Sequence, residues 1–155
     1  MPETCKLVVL SAALLLGSPA LAIAQAWPAG SAMATGQLAL EAKAKAVEAL
    51  ERANGDLVAA LSDPVFQDRR SLEAVRSLEA MWLNYVTSEC DLVGAATLAA
   101  SPWQSTYAVQ CQVKLIEWRT KQIAEAAECV TRNKSAEGVA CLRSLALLAT
   151  QAGVR

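Results

Sequence analysis

The stretch WLNYVTSECDLVGAATLAASPWQSTYAVQC, residues 82–111, decides the fold. It reads as the end of one helix, a long connection rich in small residues, and the start of another helix, with a cysteine at each edge. Before it, Val75, Leu78, Trp82 and Tyr85 keep steps of three and four, which set one apolar stripe along a helix from about residue 68. Gly94 predicts the end of that helix, since glycine takes the left-handed terminal position without steric penalty. After it, Val109, Val113, Ile116, Thr120, Ile123, Ala127 and Val130 alternate steps of four and three, the seam of helix-on-helix packing over residues 105–132.

Working outward, residues 37–61 are dominated by Ala, Leu, Glu and Lys, which favour helix, and Leu40, Ala44, Val47 and Leu50 step at helical spacing. Glu41 and Lys45 form an i,i+4 pair in the favourable order. Asn54-Gly55 is a weak point in this helix, yet Leu57, Val58 and Leu61 resume the apolar face. Ser62-Asp63-Pro64 stops it, because the residue before a proline is pushed out of the helical region. At the other end, Asn133 and Lys134 make a short turn and Ser135 offers an N-cap. A fourth helix over residues 136–151 would bury Val139, Leu142, Leu145 and Leu148. No segment alternates as a strand would. The expectation is an all-α fold, a small antiparallel bundle of three to four helices with disulfide-clamped loops.

Residues 1–26 carry the order of a secretory signal peptide: a charged start, an almost wholly apolar run from Leu7 to Leu16, then Ser18-Pro19 and small residues. Cleavage would follow Ala22, Ala24 or Ala26. The apolar run is about half of the roughly 20 residues needed to span a bilayer, so an anchor is the weaker reading and no membrane association is expected after cleavage. Cys5 precedes the apolar run and should leave with it. Residues 27–36 read as a flexible leader and residues 37–155 as a single helical domain. The expected location is periplasmic or secreted.

The mature chain keeps Cys90, Cys111, Cys129 and Cys141. An even count behind an export signal favours disulfides, and four cysteines allow three pairings. Helical hairpins would bring Cys90 to Cys111 and Cys129 to Cys141, so local pairing is expected over thiolates holding a metal. A closed loop of about 20 residues contributes on the order of 3 kcal/mol in the chain-entropy model.

The chain has no histidine, which removes Ser-His-Asp and Cys-His catalysis and most zinc sites. A net charge of −1 gives no basic surface for nucleic acid. Glu73, Glu79, Glu125 and Glu128 could work as carboxylate pairs, but acidic residues on helices are usually a solvated face. No cofactor or metal is implied, and the expectation is that the protein is not an enzyme.

Trp82-Leu83-Asn84-Tyr85, Glu89-Cys90, the connection, Cys111, and Leu115 through Arg119-Thr120 to Ile123, preceded by Ser62-Asp63-Pro64, carry a family likeness. On these residues the segment 61–123 resembles the lysozyme-inhibitor-like domain of exported bacterial proteins, the LprI N-terminal type. Val86 stands where that family usually has arginine, and Cys129 and Cys141 lie after the third helix rather than before the first. The resemblance implies a small disulfide-linked helical domain that binds and inhibits lysozyme. Trp82, Tyr85, Glu89 and Arg119 match the family motif. By spacing, Trp82 and Tyr85 belong to the core, Arg119 lies off the main seam and would pair with Glu89, and Trp118 continues a packed row with Leu115 and Cys111. A clamped loop over residues 91–110 would occlude a target cleft, with Trp103 and Tyr107 as anchors. The expected partner is lysozyme or another envelope protein. The alternative is an envelope structural or stress-response interaction protein without inhibitory activity.

Overall fold

A computed structural model describes residues 27–66, 69–97, 101–133 and 135–146. The expected signal peptide, Asp68, Lys134 and Leu148 lie outside the described residues. The fold is a small all-α antiparallel bundle of three long helices, α1 (Ala32–Leu61), α2 (Arg69–Ala95) and α3 (Ser101–Arg132), followed by a 3-10 helix, Ala136–Leu145. None of the described helices is long and apolar enough to cross a membrane.

Helix α1 starts five residues earlier than the composition predicts, because Ser31 caps it: its hydroxyl accepts the Ala34 N–H at 3.2 Å. Asn54-Gly55 passes without a break. The helix stops as read. The Ser62 hydroxyl donates to the Val58 carbonyl at 2.7 Å, and the Asp63 carboxylate accepts the Val65 N–H at 3.0 Å, closing a turn that sends Phe66 into the core.

Helix α3 is the axis of the molecule. Helices α1 and α2 each pack along it, as does the 3-10 helix, while α1 and α2 meet only briefly. The order is up, down, up, so α1 and α3 run parallel. At their starts the Thr106 hydroxyl donates to the Ala32 carbonyl at 3.1 Å. Beyond their far ends, the Phe66 ring lies 2.7 Å from where a Cβ on Gly138 would stand. A helix used on several faces needs buried residues around most of its circumference. This is why Ala108, Gln112, Arg119 and Ala126 are buried in addition to Ile116, Ile123, Ala127 and Val130 of the predicted seam.

The buried face of α1 is Ala39, Ala46, Leu50, Ala53, Leu57 and Leu61. It is turned from the predicted face, and Leu40 stays 57% exposed. Alanines seven residues apart let the α1 and α3 backbones approach closely, and a leucine in that line would hold them apart. On α2 the buried line is Val75, Glu79, Trp82, Val86, Cys90 and Gly94, so Tyr85, expected in the core, is 58% exposed instead. A seam that runs through Val86 and Cys90 leaves Tyr85 on the flank.

The last helix is a 3-10 helix rather than the expected α-helix. Ser135 caps it as predicted, accepting the Glu137 N–H at 3.3 Å, and Leu145 is buried while Val139 and Leu142 pack against the core.

Candidate functional site at the tip of the helix pair

The cysteines pair locally. Cys90 joins Cys111 with Cα atoms 5.5 Å apart, and Cys129 joins Cys141 at 5.8 Å. The connection between α2 and α3 is much shorter than a loop over residues 91–110. Asp91–Ala95 belongs to α2 and Ser101–Gln110 to α3. Small side chains and a proline suggest a loop by composition, but proline is tolerated in a first helical turn, where its missing N–H has no partner to lose. Trp103 and Tyr107 therefore stand one turn apart on α3.

Helix α2 ends at Ala95, one residue past the expected Val93-Gly94 end, but Gly94 is not left-handed. A Cβ there would come 2.6 Å from the Gln104 carbonyl oxygen and 3.0 Å from the Ala108 methyl. Its role is close approach of the two backbones. The Gln104 amide donates across the tip to the Thr97 carbonyl at 3.4 Å. Disulfide, glycine contact and this bond tie the end of α2 to the start of α3.

On that tip Trp103 and Tyr107 stack with ring centroids 5.9 Å apart and planes at 30°. Tyr107 is 40% exposed. Beside it an open groove of about 370 Å³ is lined by Val93, Thr97, Tyr107, Cys111, Lys114 and Leu115. Its floor is apolar and Lys114 supplies one cation. Leu92 and Val93 are exposed at the end of α2.

Trp82 and Arg119, on which the sequence resemblance drew, come together elsewhere, in the core. Arg119 is completely buried. Its Nε lies 3.1 and 3.3 Å from the two Glu79 carboxylate oxygens, and its Nη2 also donates to Glu79 Oε1. Its Nη1 donates to Gln122 Oε1 at 3.2 Å and to the Leu145 carbonyl at 3.0 Å. The Trp82 ring covers the guanidinium at 5.7 Å. One arginine thus joins α2, α3 and the 3-10 helix.

The expected partnership of Arg119 with Glu89 is corrected by this geometry. Glu89 instead accepts a hydrogen bond from the Tyr85 phenol on the surface. That bond, and secondarily the carboxylate's charge, hold the phenol above its ordinary value. Trp118 is 45% exposed rather than packed under another helix, because the turn that buries Arg119 carries its neighbour outward.

Glu79 was the residue least expected to be buried. The signal for it is present in the spacing: Val75, Glu79, Trp82 and Val86 step by four, three and four, and Ile116, Arg119 and Ile123 step by three and four. Arg119, expected off the main seam, is therefore corrected to a buried position between Ile116 and Ile123, and an acid and a base each in a buried line form a buried pair. The remaining carboxylates lie on the solvated face, where Glu73 bonds Arg69 at 3.0 Å, Glu125 faces Lys121 at 3.9 Å and Glu128 faces Arg132 at 3.6 Å. Among the described residues, no three His, Cys, Asp or Glu side chains are placed to hold a metal ion. Compared with known proteins, the chain matches no family model, no curated protein and no solved structure.

Proposed function

We propose that this protein is an exported binding module of the lysozyme-inhibitor type, periplasmic or secreted, which acts through contact rather than chemistry and meets its partner with the tip of the α2–α3 pair. The observation that carries this reading is the Trp103–Tyr107 stack beside an apolar groove on a tip locked by the Cys90–Cys111 bond. Aromatic side chains dominate binding energy when they dock into a desolvated pocket. A tip whose two helix ends are already tied together loses less conformational freedom on binding. Two disulfides and the lack of a described membrane-crossing helix are compatible with export. Lysozyme as the target rests on the resemblance of residues 61–123.

A second reading has its own observation. Met81, Tyr85 and Leu92 lie along one flank of α2 and are each more than half exposed, which would suit docking in an envelope assembly without inhibition. Titration of the oxidised protein against several lysozymes, by calorimetry and by a lytic assay, separates the two. The first reading expects inhibition that falls at least about tenfold in W103A or Y107A, the loss of one central aromatic anchor. Absence of binding at micromolar concentration would reject lysozyme. A partner lost in M81A and L92A but kept in W103A would favour the flank.

A further inference from the structure

The two disulfides occupy different surroundings. Cys90 is fully buried under the α2–α3 seam, while its partner Cys111 is half-buried and lines the groove beside Tyr107. A thiol can approach that bond only from the Cys111 side, and attack there expels Cys90 as a thiolate in a fully buried apolar position, which disfavours the charge. Cys129 and Cys141 are both half-buried at the outer end of α3. The exposed side chain of Asn133 stands over them, its Nδ2 3.6 Å from Cys129 Sγ and 3.9 Å from Cys141 Sγ. One N–H of that amide bonds the Cys129 carbonyl at 2.9 Å, leaving the other for the sulfur pair. Attack on a disulfide expels one sulfur as a thiolate, and the rate rises with access and with stabilisation of that leaving group. A donor placed against both sulfurs serves whichever of them leaves.

We propose that Cys129–Cys141 is the exchange-reactive bond of this protein, a site for an external dithiol, and that its cleavage unlatches the 3-10 helix from α3. In the first step the dithiol's thiolate attacks one sulfur, forms a mixed disulfide with it and releases the other as a thiolate beside Asn133. In the second step the dithiol's remaining thiol, as thiolate, attacks its own mixed-disulfide sulfur and releases the second protein thiolate. The dithiol is oxidised to a disulfide, the protein bond is reduced by two electrons, and the two protons of the dithiol balance the two protein thiolates.

The 3-10 helix has weaker internal hydrogen-bond geometry than an α-helix and depends on what it packs against. With the bond cut, its direct ties are the Arg119 bond to the Leu145 carbonyl and the packing of Val139, Leu142 and Leu145. An open cleft of about 540 Å³ already separates it in part from Val75 and Leu78 of α2. Release widens that cleft and exposes Phe66, which lies against Gly138.

The test is timed reduction of the oxidised protein by dithiothreitol, with alkylation and peptide mass mapping, while circular dichroism and a hydrophobic dye are followed in parallel. Thiols at Cys129 and Cys141 are expected at least about tenfold sooner than at Cys90 and Cys111, with helicity retained and dye emission rising. N133A should slow that first reduction about three- to tenfold, since part of a charge-assisted hydrogen bond is expressed in the transition state. N133D, whose carboxylate opposes a thiolate, should slow it at least as much. All four thiols appearing together, Cys90 and Cys111 appearing first, or an unchanged rate in N133A would each overturn the proposal.

Discussion

Replacing Arg119 by alanine is the sharpest test of how the three elements are held together. The substitution leaves Glu79, a residue only 8% exposed in the intact protein, without its counter-charge. It also removes the donors to the Leu145 carbonyl and to Gln122. Breaking a buried pair from one side costs about 3–5 kcal/mol, most of it the burial of the surviving charge. The orphaned Leu145 carbonyl contributes about 1–3 kcal/mol where water does not reach it. Because the cleft beside the 3-10 helix is open, water can relieve part of that second cost, and the expected loss is about 4 kcal/mol. Against a total stability of about 5–15 kcal/mol that is a large fraction. Urea unfolding of the oxidised protein followed at 222 nm measures it; with a slope of about 2 kcal/mol per molar, the midpoint should fall by about 2 M. The double variant E79L/R119M removes both charges and keeps apolar volume, so it should recover most of the loss, leaving about the cost of the unbonded Leu145 carbonyl. A single variant as stable as the parent, or a double variant no better than the single, would refute a buried pair that spans the elements.

Two further outcomes follow from the tip and the α2 flank. G94A places a methyl 2.6 Å from the Gln104 carbonyl oxygen, a backbone atom that cannot swing aside. The helices must part, at about 1–3 kcal/mol, and thermal unfolding together with partner titration should show both lower stability and weaker binding at the tip. Tyr85, in the Y107F background, should ionise above its ordinary value near 10.0 by absorbance at 295 nm, and return to it in E89Q. The neutral phenol is the bonded form, so this small stabilisation is fully present below the unfolded value and fades as pH rises through the folded one. A midpoint at or below the ordinary value would remove the bond.

The helices were legible because their signals are local. The stop at Ser62-Asp63-Pro64, the cap at Ser135 and the α3 seam depend on neighbours in sequence, and local cysteine pairing follows from hairpins. What sequence patterns misplaced depends on which helices meet. Periodicity fixes that α1 has an apolar face, but the choice between Leu40 and Ala39 is made by the close parallel approach of α3, which a single helix does not display. Gly94 marks the end of α2 to within one residue, but the reason a glycine is needed there, a carbonyl on another helix, is not displayed by its own segment. The tip was read as a loop because small residues and proline are shared by loops and first turns. Trp103 and Tyr107 were legible as the large side chains of that stretch, but not as neighbours on one helical turn.

The alanine line of α1 gives the bundle an unequal tolerance to change. Ala39, Ala46 and Ala53 each offer one methyl, so truncating them to glycine removes little buried volume and mainly costs helix propensity, about 1 kcal/mol each. Enlarging them forces two parallel backbones apart along their whole length. On the α2 side the contact is built from Trp82, Val86 and the arginine cluster, where removal opens a void and enlargement is of less consequence. Sequence drift should therefore be constrained by maximum size along one side of α3 and by minimum size along the other.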